Sequence, residues 1–289
     1  MGVTKELVTF LLVTRFQDFP REVVDRGKEL MIDFIGGALG GSQTRVSNIM
    51  TEYVKEKDAI PEAGVIGKNL RTTAAFASYL NGIFNHSTEL ESVSQRTSPN
   101  PLATIVVSLA VGEKMALSGK EVLEGFILGF EIQGRVGGSS LAGVSKKGRI
   151  SIFNHLGAAA TASKLLKLNL NQSRMALGIA AFQAGGLIAN VGTMAHVLEL
   201  AVAARDGIEA TESAKKGVTS HPEIIETPQG FCDALIEEGG YDLKKMTKDL
   251  GKTFQIVEPG ISIKKYPCCY RSHRALDAFF DLVAEHHLS

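Results

Sequence analysis

Two consecutive segments built on small side chains, 155–166 and 172–187, constrain the fold of this chain more than any other feature. Ala158, Ala159, Ala162, Ala176, Ala180 and Ala184 recur at helical spacing and let two backbones approach closely, as the central helices of a bundle require. The linker Leu168-Asn169-Leu170-Asn171 carries helix-capping residues between them. Aromatic residues make up only 7% of the 289 positions and Trp is absent, so the 44% apolar content points to packed helices rather than strands.

The rest of the chain follows the same period. Leu7, Phe10, Leu11 and Thr14 share one face of a helix over 5–14 that Phe19-Pro20 closes off. A second helix follows Pro20, with Val23, Val24, Leu30, Met31 and Phe34 aligned and Gly36-Gly37 inside or ending it. Further helices are expected over 72–80, over 102–117 after Pro99 and Pro101, over 118–133 from the capping box Ser118-Gly119-Lys120-Glu121, and over 196–210. A Gly/Ser/Lys loop spans 137–148, and 211–230 reads as a short helix plus loop. Strand-like alternation is confined to 260–264, next to the turn Pro259-Gly260, and a domain boundary is expected there.

Charge and cysteine usage narrow the function classes. The 31 basic and 31 acidic side chains cancel, and the isoelectric point is about 7.1. No global field therefore draws in nucleic acid or an anionic membrane, and an anionic ligand must be gripped locally. Cys232, Cys268 and Cys269 are odd in number and lack CxxC spacing, which argues for a reducing compartment. The N-terminal segment lacks a signal-peptide core, so a cytoplasmic protein is expected. The stretch 175–198 contains no Asp, Glu, Lys or Arg, but its Ala/Gly content and its Gln183, Asn190, Thr193 and His196 make it a buried helix and turn rather than a membrane span. No P-loop, dinucleotide fingerprint, HExxH, zinc-type Cys/His spacing or GxSxG elbow occurs; neither cofactor nor metal is expected.

Five segments in register resemble the MmgE/PrpD family, which includes 2-methylcitrate dehydratase, cis-aconitate decarboxylase and iminodisuccinate epimerase. Residues 80–91, LNGIFNHSTELE, stand where the family writes LNGTAAHALDYD, and Ser98-Pro99-Asn100 where it writes HPS. Gly157-Ala158-Ala159-Ala160 with Lys164-Leu165-Leu166 is similar to GAAAAAAKLL, and Gly192-Thr193-Met194 to the start of GTMTKPLH. Lys264-Lys265-Tyr266-Pro267-Cys268-Cys269, followed by His273 and Asp277-Ala278, is similar to KPYPCC with its later H and DA. The resemblance implies an all-α helical body over 1–258, the beginning of an α+β lid domain over 259–289 with the lid truncated, and a homodimer.

It also implies a chemistry: removal of a proton or a carboxylate beside another carboxylate, which needs a base, a proton donor and cations for the substrate's acid groups. At the first Asp of DYD this chain has Glu89, either a base or an ordinary solvated acid. His86 keeps the motif's His, or is a helix-end His bonded to backbone. Ser98 replaces the HPS histidine and cannot act as a base near neutral pH. The second family histidine falls at Gly148, beside Arg149 and near His155, which are candidate substrate-binding residues with Ser98 and His86. The TKPLH lysine is His196 and its His is Glu199; the two can pair at i and i+3. Lys264 keeps the KPYP lysine. The expectation is thus a cofactor-independent lyase or isomerase acting on a small di- or tricarboxylate, with Glu89, His196 and Lys264 as candidate catalytic residues. The alternative is a non-catalytic helical scaffold that dimerises through its Ala/Gly-rich helices.

Overall fold

The computed structural model describes residues 2–94, 100–141, 148–236 and 239–287. Its helices are α1 Val3–Val13, α2 Arg21–Gly41, α3 Arg45–Lys55, α4 Ala74–His86, α5 Leu102–Lys114, α6 Gly119–Gly138, α7 Phe153–Leu165, α8 Leu170–Gln183, α9 Met194–Lys215, α10 Leu243–Thr247 and α11 His273–His286. Among the described residues, four two-residue strands form two antiparallel pairs: β1 (Ala63–Gly64) with β2 (Arg71–Thr72), and β3 (Val93–Ser94) with β4 (Ile261–Ser262). The all-α expectation holds.

Helix α7 is the axis of the fold, buried along its whole length and surrounded by α5, α6, α8 and α9. The small residues that marked it in the sequence set how near its neighbours come. A methyl group on Gly207 of α9 would lie 2.8 Å from the carbonyl carbon of Ala158, so nothing larger than glycine fits that crossing. Phe84, Phe126, Phe130 and Phe153 fill the spaces between helices and are fully buried. Truncating any of them to Ala costs about 3–5 kcal/mol.

The capping signals are realised. Ser118 and Glu121 form the reciprocal box at the start of α6, and Asn169 and Gln172 form another at α8. The uncharged stretch 175–198 is the end of α8, a 3-10 turn at Ile188–Asn190 and the start of α9. Among the described residues no helix is long and apolar enough to cross a membrane.

Several boundaries depart from the sequence reading. Of the two readings of Gly36-Gly37, inside α2 or ending it, the structure has them inside: the helix runs on to Gly41, which lies against the backbone of Phe84, so tertiary packing offsets the low propensity of glycine. Helix α4 extends beyond residue 80 to His86, and α9 continues to Lys215. Helices α3 and α11 are absent from the sequence reading. The period of α3 was present in the sequence: Val46, Ile49, Met50, Tyr53 and Val54 share one face, of which Val46 and Val54 are buried while Ile49 and Tyr53 stay exposed. Helix α11 has only His273 buried and leaves Phe279, Phe280 and Leu282 exposed.

Two buried cations fasten the outer segments to this core. Lys164 Nζ donates to the carbonyls of Leu11 and Thr14 at the end of α1, at 2.9 and 2.6 Å, and pairs with Glu124 at 3.1 Å. Arg135 pairs with Glu131 and donates to carbonyls of Lys248, Asp249 and Thr253, while Gln255 N–H donates to Glu131. The chain held by Arg135 then enters β4, whose pairing with β3 (Val93 with Ser262, Ser94 with Ile261) returns residue 264 to the end of α4.

Candidate functional site

Three elements end at one place: the C-terminus of α4, the first turn of α9 and the residues after β4. Their side chains line a cavity of about 550 Å³. Thr73 starts α4 by accepting from the Phe76 N–H, and the helix delivers His86 as its last residue, 3% exposed. Just beyond, Glu89 takes a left-handed conformation with φ +55°, a backbone state that costs a non-glycine residue about 1–3 kcal/mol. Its N–H donates to the His86 carbonyl at 3.1 Å, which closes the turn.

Lys264 reaches in from the strand pair. Its side chain is 2% exposed, and Nζ donates to Glu89 Oε2 at 3.2 Å, to the Glu89 carbonyl at 2.8 Å and to Glu91 Oε1 at 2.6 Å. These three acceptors match the three hydrogens of the ammonium, so a buried charge is fully partnered. Glu91 is 5% exposed and its Oε2 has no hydrogen-bond partner.

From the opposite wall, His196 Nε2 stands 3.8 Å from Glu89 Oε1, and His86 Nε2 stands 4.0 Å from the same oxygen. The two imidazole rings meet edge to face at 4.9 Å between centroids. Behind them, His86 Nδ1 faces the Val197 carbonyl at 3.3 Å, and His196 Nδ1 faces Glu199 Oε1 at 3.5 Å. Ser151, itself left-handed at φ +62°, donates to Glu199 at 2.8 Å. The contact with Glu199 raises the His196 pKa above its ordinary value; partial burial opposes this, and the charges of Glu199, Glu89 and Glu91 add to the rise.

The structure thus brings together Glu89, His196, Lys264 and His86. It does not bring in Arg149 or His155. Arg149 lies outside the cavity lining, where its guanidinium donates to the Ala234 carbonyl at 2.7 Å. His155 is buried between α7 and α9, with Nε2 3.6 Å from Asp206 Oδ2. Ser98 lies outside the described residues.

Other lining residues carry charge that the sequence reading left without a role. Arg271 stands in the 3-10 turn just before α11 and Arg274 in its first turn, and Glu91 and Glu199 complete the acidic side. The signal for the arginines was available: Arg271 and Arg274 lie three apart, within ten residues of Lys264, a local cationic density fit for acid groups. What hid them was the absence of any expected helix to give that spacing a face.

The cleft sets carboxylates, imidazoles and cations side by side at the edge of a mainly helical body. This chain belongs to the MmgE/PrpD family: the family's N-terminal domain matches residues 5–244. It is similar to the cis-aconitate decarboxylase of Mus musculus, 28% identical over 264 residues that cover 89% of this chain and 54% of that protein. It is also similar to the cis-aconitate decarboxylase of Homo sapiens, at 26% identity over 96% of this chain and 59% of the relative. A third relative is the cis-aconitate decarboxylase-like protein oryM of Aspergillus oryzae, at 29% identity over 96% of this chain and 61% of its own length. The chain therefore spans about three fifths of these curated relatives. Glu89 and His196 lie inside the matched domain, and Lys264 lies beyond it.

Proposed function

We propose that this chain is the helical body of a lyase or isomerase that moves a proton beside a carboxylate of a small di- or tricarboxylate. The observation that carries the reading is the shared carboxylate of Glu89, held by Lys264 at 3.2 Å on one oxygen and facing His196 at 3.8 Å on the other. A base, a proton carrier and a fixed cation stand within contact of one another in a cavity sized for a molecule such as cis-aconitate, the substrate in the relatives' names.

The chemistry assigns each group a task. Glu89 accepts a proton from the carbon beside a substrate carboxylate, or, in a decarboxylation, the departing CO2 leaves its electron pair on that carbon. His196, whose contact with Glu199 favours the protonated ring, returns a proton to the resulting carbanion or enolate. Lys264 offsets the charge that develops on Glu89 and the substrate. Arg271 and Arg274 supply guanidiniums for the remaining acid groups, which suits a substrate with more than one carboxylate.

The free, unpaired cysteines Cys232, Cys268 and Cys269 support a cytoplasmic location. We also propose the homodimer, on the exposed apolar residues Ile32, Ile35 and Leu39 of α2 with Ile49 and Tyr53 of α3. Residues 1–258 and 259–289 remain our division into helical body and lid segment.

Calorimetry with cis-aconitate, citrate and substituted succinates tests the reading, together with NMR in deuterated water that follows exchange beside a carboxylate and loss of CO2. Binding of at least one of these anions, abolished in Lys264→Ala, is expected. Undiminished affinity in that variant rejects the assignment. Absence of any binding or turnover across the panel, with a stable dimer in sedimentation, favours the scaffold alternative.

A further inference from the structure

The same wall of the cavity has a second chemical capability, one that competes with the proton transfer proposed above for the same side chains. We infer that His86, Glu89 and His196 form a binding site for one divalent cation of the zinc class, ligated by nitrogen and oxygen and open on the cavity side.

One ligand atom from each of the three lies within 4.8 Å of the others. The two Nε2-to-Oε1 separations are 4.0 and 3.8 Å. Tetrahedral ligands at bonds of about 2.1 Å lie about 3.4 Å apart, so small side-chain rotations close the site. Clustering alone would say little; the far side of each ring says more. Metal-binding imidazoles characteristically give their second nitrogen to a carbonyl or carboxylate, which fixes the tautomer and aims the other nitrogen's lone pair.

His86 is set in this way, and the far nitrogen of His196 has a carboxylate 3.5 Å away, short of a hydrogen bond. His86 Nδ1 faces the Val197 carbonyl and His196 Nδ1 faces Glu199, which Ser151 holds in turn. Both Nε2 atoms are left converging on Glu89 Oε1. Glu89 has its other oxygen anchored by Lys264, and its backbone is locked in the left-handed state. Two imidazoles and one carboxylate favour zinc, cobalt or iron(II) over magnesium or calcium, which prefer all-oxygen shells. A dication beside Lys264 also balances Glu89, Glu91 and Glu199, so this inner wall becomes neutral when both rings are uncharged. The cavity leaves room for water or a small anion in the remaining coordination positions. Occupancy takes the Nε2 of His196, so the ion and a proton on that nitrogen exclude each other.

The 289-residue chain, stripped with a chelator, is titrated with cobalt(II) and with zinc. One equivalent is expected, with visible cobalt bands and no thiolate charge-transfer band. His196→Lys and Glu89→Gln should each weaken binding at least about tenfold, since even supporting residues are worth that much. The Cys268→Ser/Cys269→Ser pair and His155→Gln should bind as the parent does. Retained affinity in His196→Lys, loss in the cysteine pair, or much less than one equivalent in the parent overturns the inference. NMR of the parent with labelled histidine needs no variant: zinc must shift the Nε2 signals of His86 and His196 and leave His155 unmoved, and any other pattern rejects the site. None of these readouts depends on turnover.

Discussion

Two histidines of this chain face carboxylates of the same helix, α9, with opposite consequences. His155 and Asp206 meet in the core between α7 and α9, where Arg205 donates twice to the same Asp206 oxygen, at 2.9 and 2.7 Å. His196 and Glu199 meet at the first turn of α9, where a cavity opens in front of them. In the core pair every neighbour is a structural element, so the interaction holds helices together. In the cavity pair one face of the ring is left toward open volume, Glu89 and Lys264, so the arrangement can act on something else. Residue type is the same; the difference lies in which helix end meets an opening.

The comparison can be broken in order of effect. Lys264→Met removes the charge that organises Glu89 and Glu91, and should lower affinity for a citrate-like anion at least about a hundredfold in calorimetry. Adding Glu91→Gln to that variant should recover the stability lost by stranding a buried carboxylate, without recovering binding. On the core side, His155→Ala should cost about 2–4 kcal/mol in denaturant melts, mainly through the cavity it leaves, with anion affinity unchanged. Weakened anion binding in that variant would end the distinction between the two pairs.

The core pair also has a pH signature. Burial alone would raise the Asp206 pKa, but the His155 imidazole and the Arg205 guanidinium outweigh it and hold the carboxyl below the usual carboxylate range. A depressed folded pKa gives stability that is present above the unfolded value, about 3.9, and is lost as pH falls through the folded value. Asp206→Asn should flatten that acid limb in thermal melts followed by circular dichroism. The smallest effect is at the start of α4: Thr73→Ala loses a helix cap, costs about 1 kcal/mol, and should weaken anion binding only slightly, because His86 is held at the other end by Val197.

The helical core was largely legible because its signals are local. The period of small residues in α7 and α8, the capping boxes at Ser118 and Asn169, and the polar breaks in 175–198 each act over a few residues. The site was legible only in part. Glu89, His196 and Lys264 were readable as candidates through resemblance, but nothing local separated them from Arg149, another cation, and His155, another imidazole, which lie elsewhere. Glu91 stood in a recognised segment without a role, and Arg271 and Arg274 went unread for want of a helix to place them.

What the amino-acid sequence determined by itself was the repertoire: helices with small-residue crossings, and a set of acids, imidazoles and cations with one local pair, His196 and Glu199, within reach along the chain. What only the tertiary structure decided was their meeting. Glu89 and Lys264 lie far apart in sequence and touch because two residues of β4 pair with two of β3, while His196 joins them because α9 packs along α4. Helical period follows from bonds four residues apart, whereas the convergence of three chain segments depends on the free energy of packing the whole core.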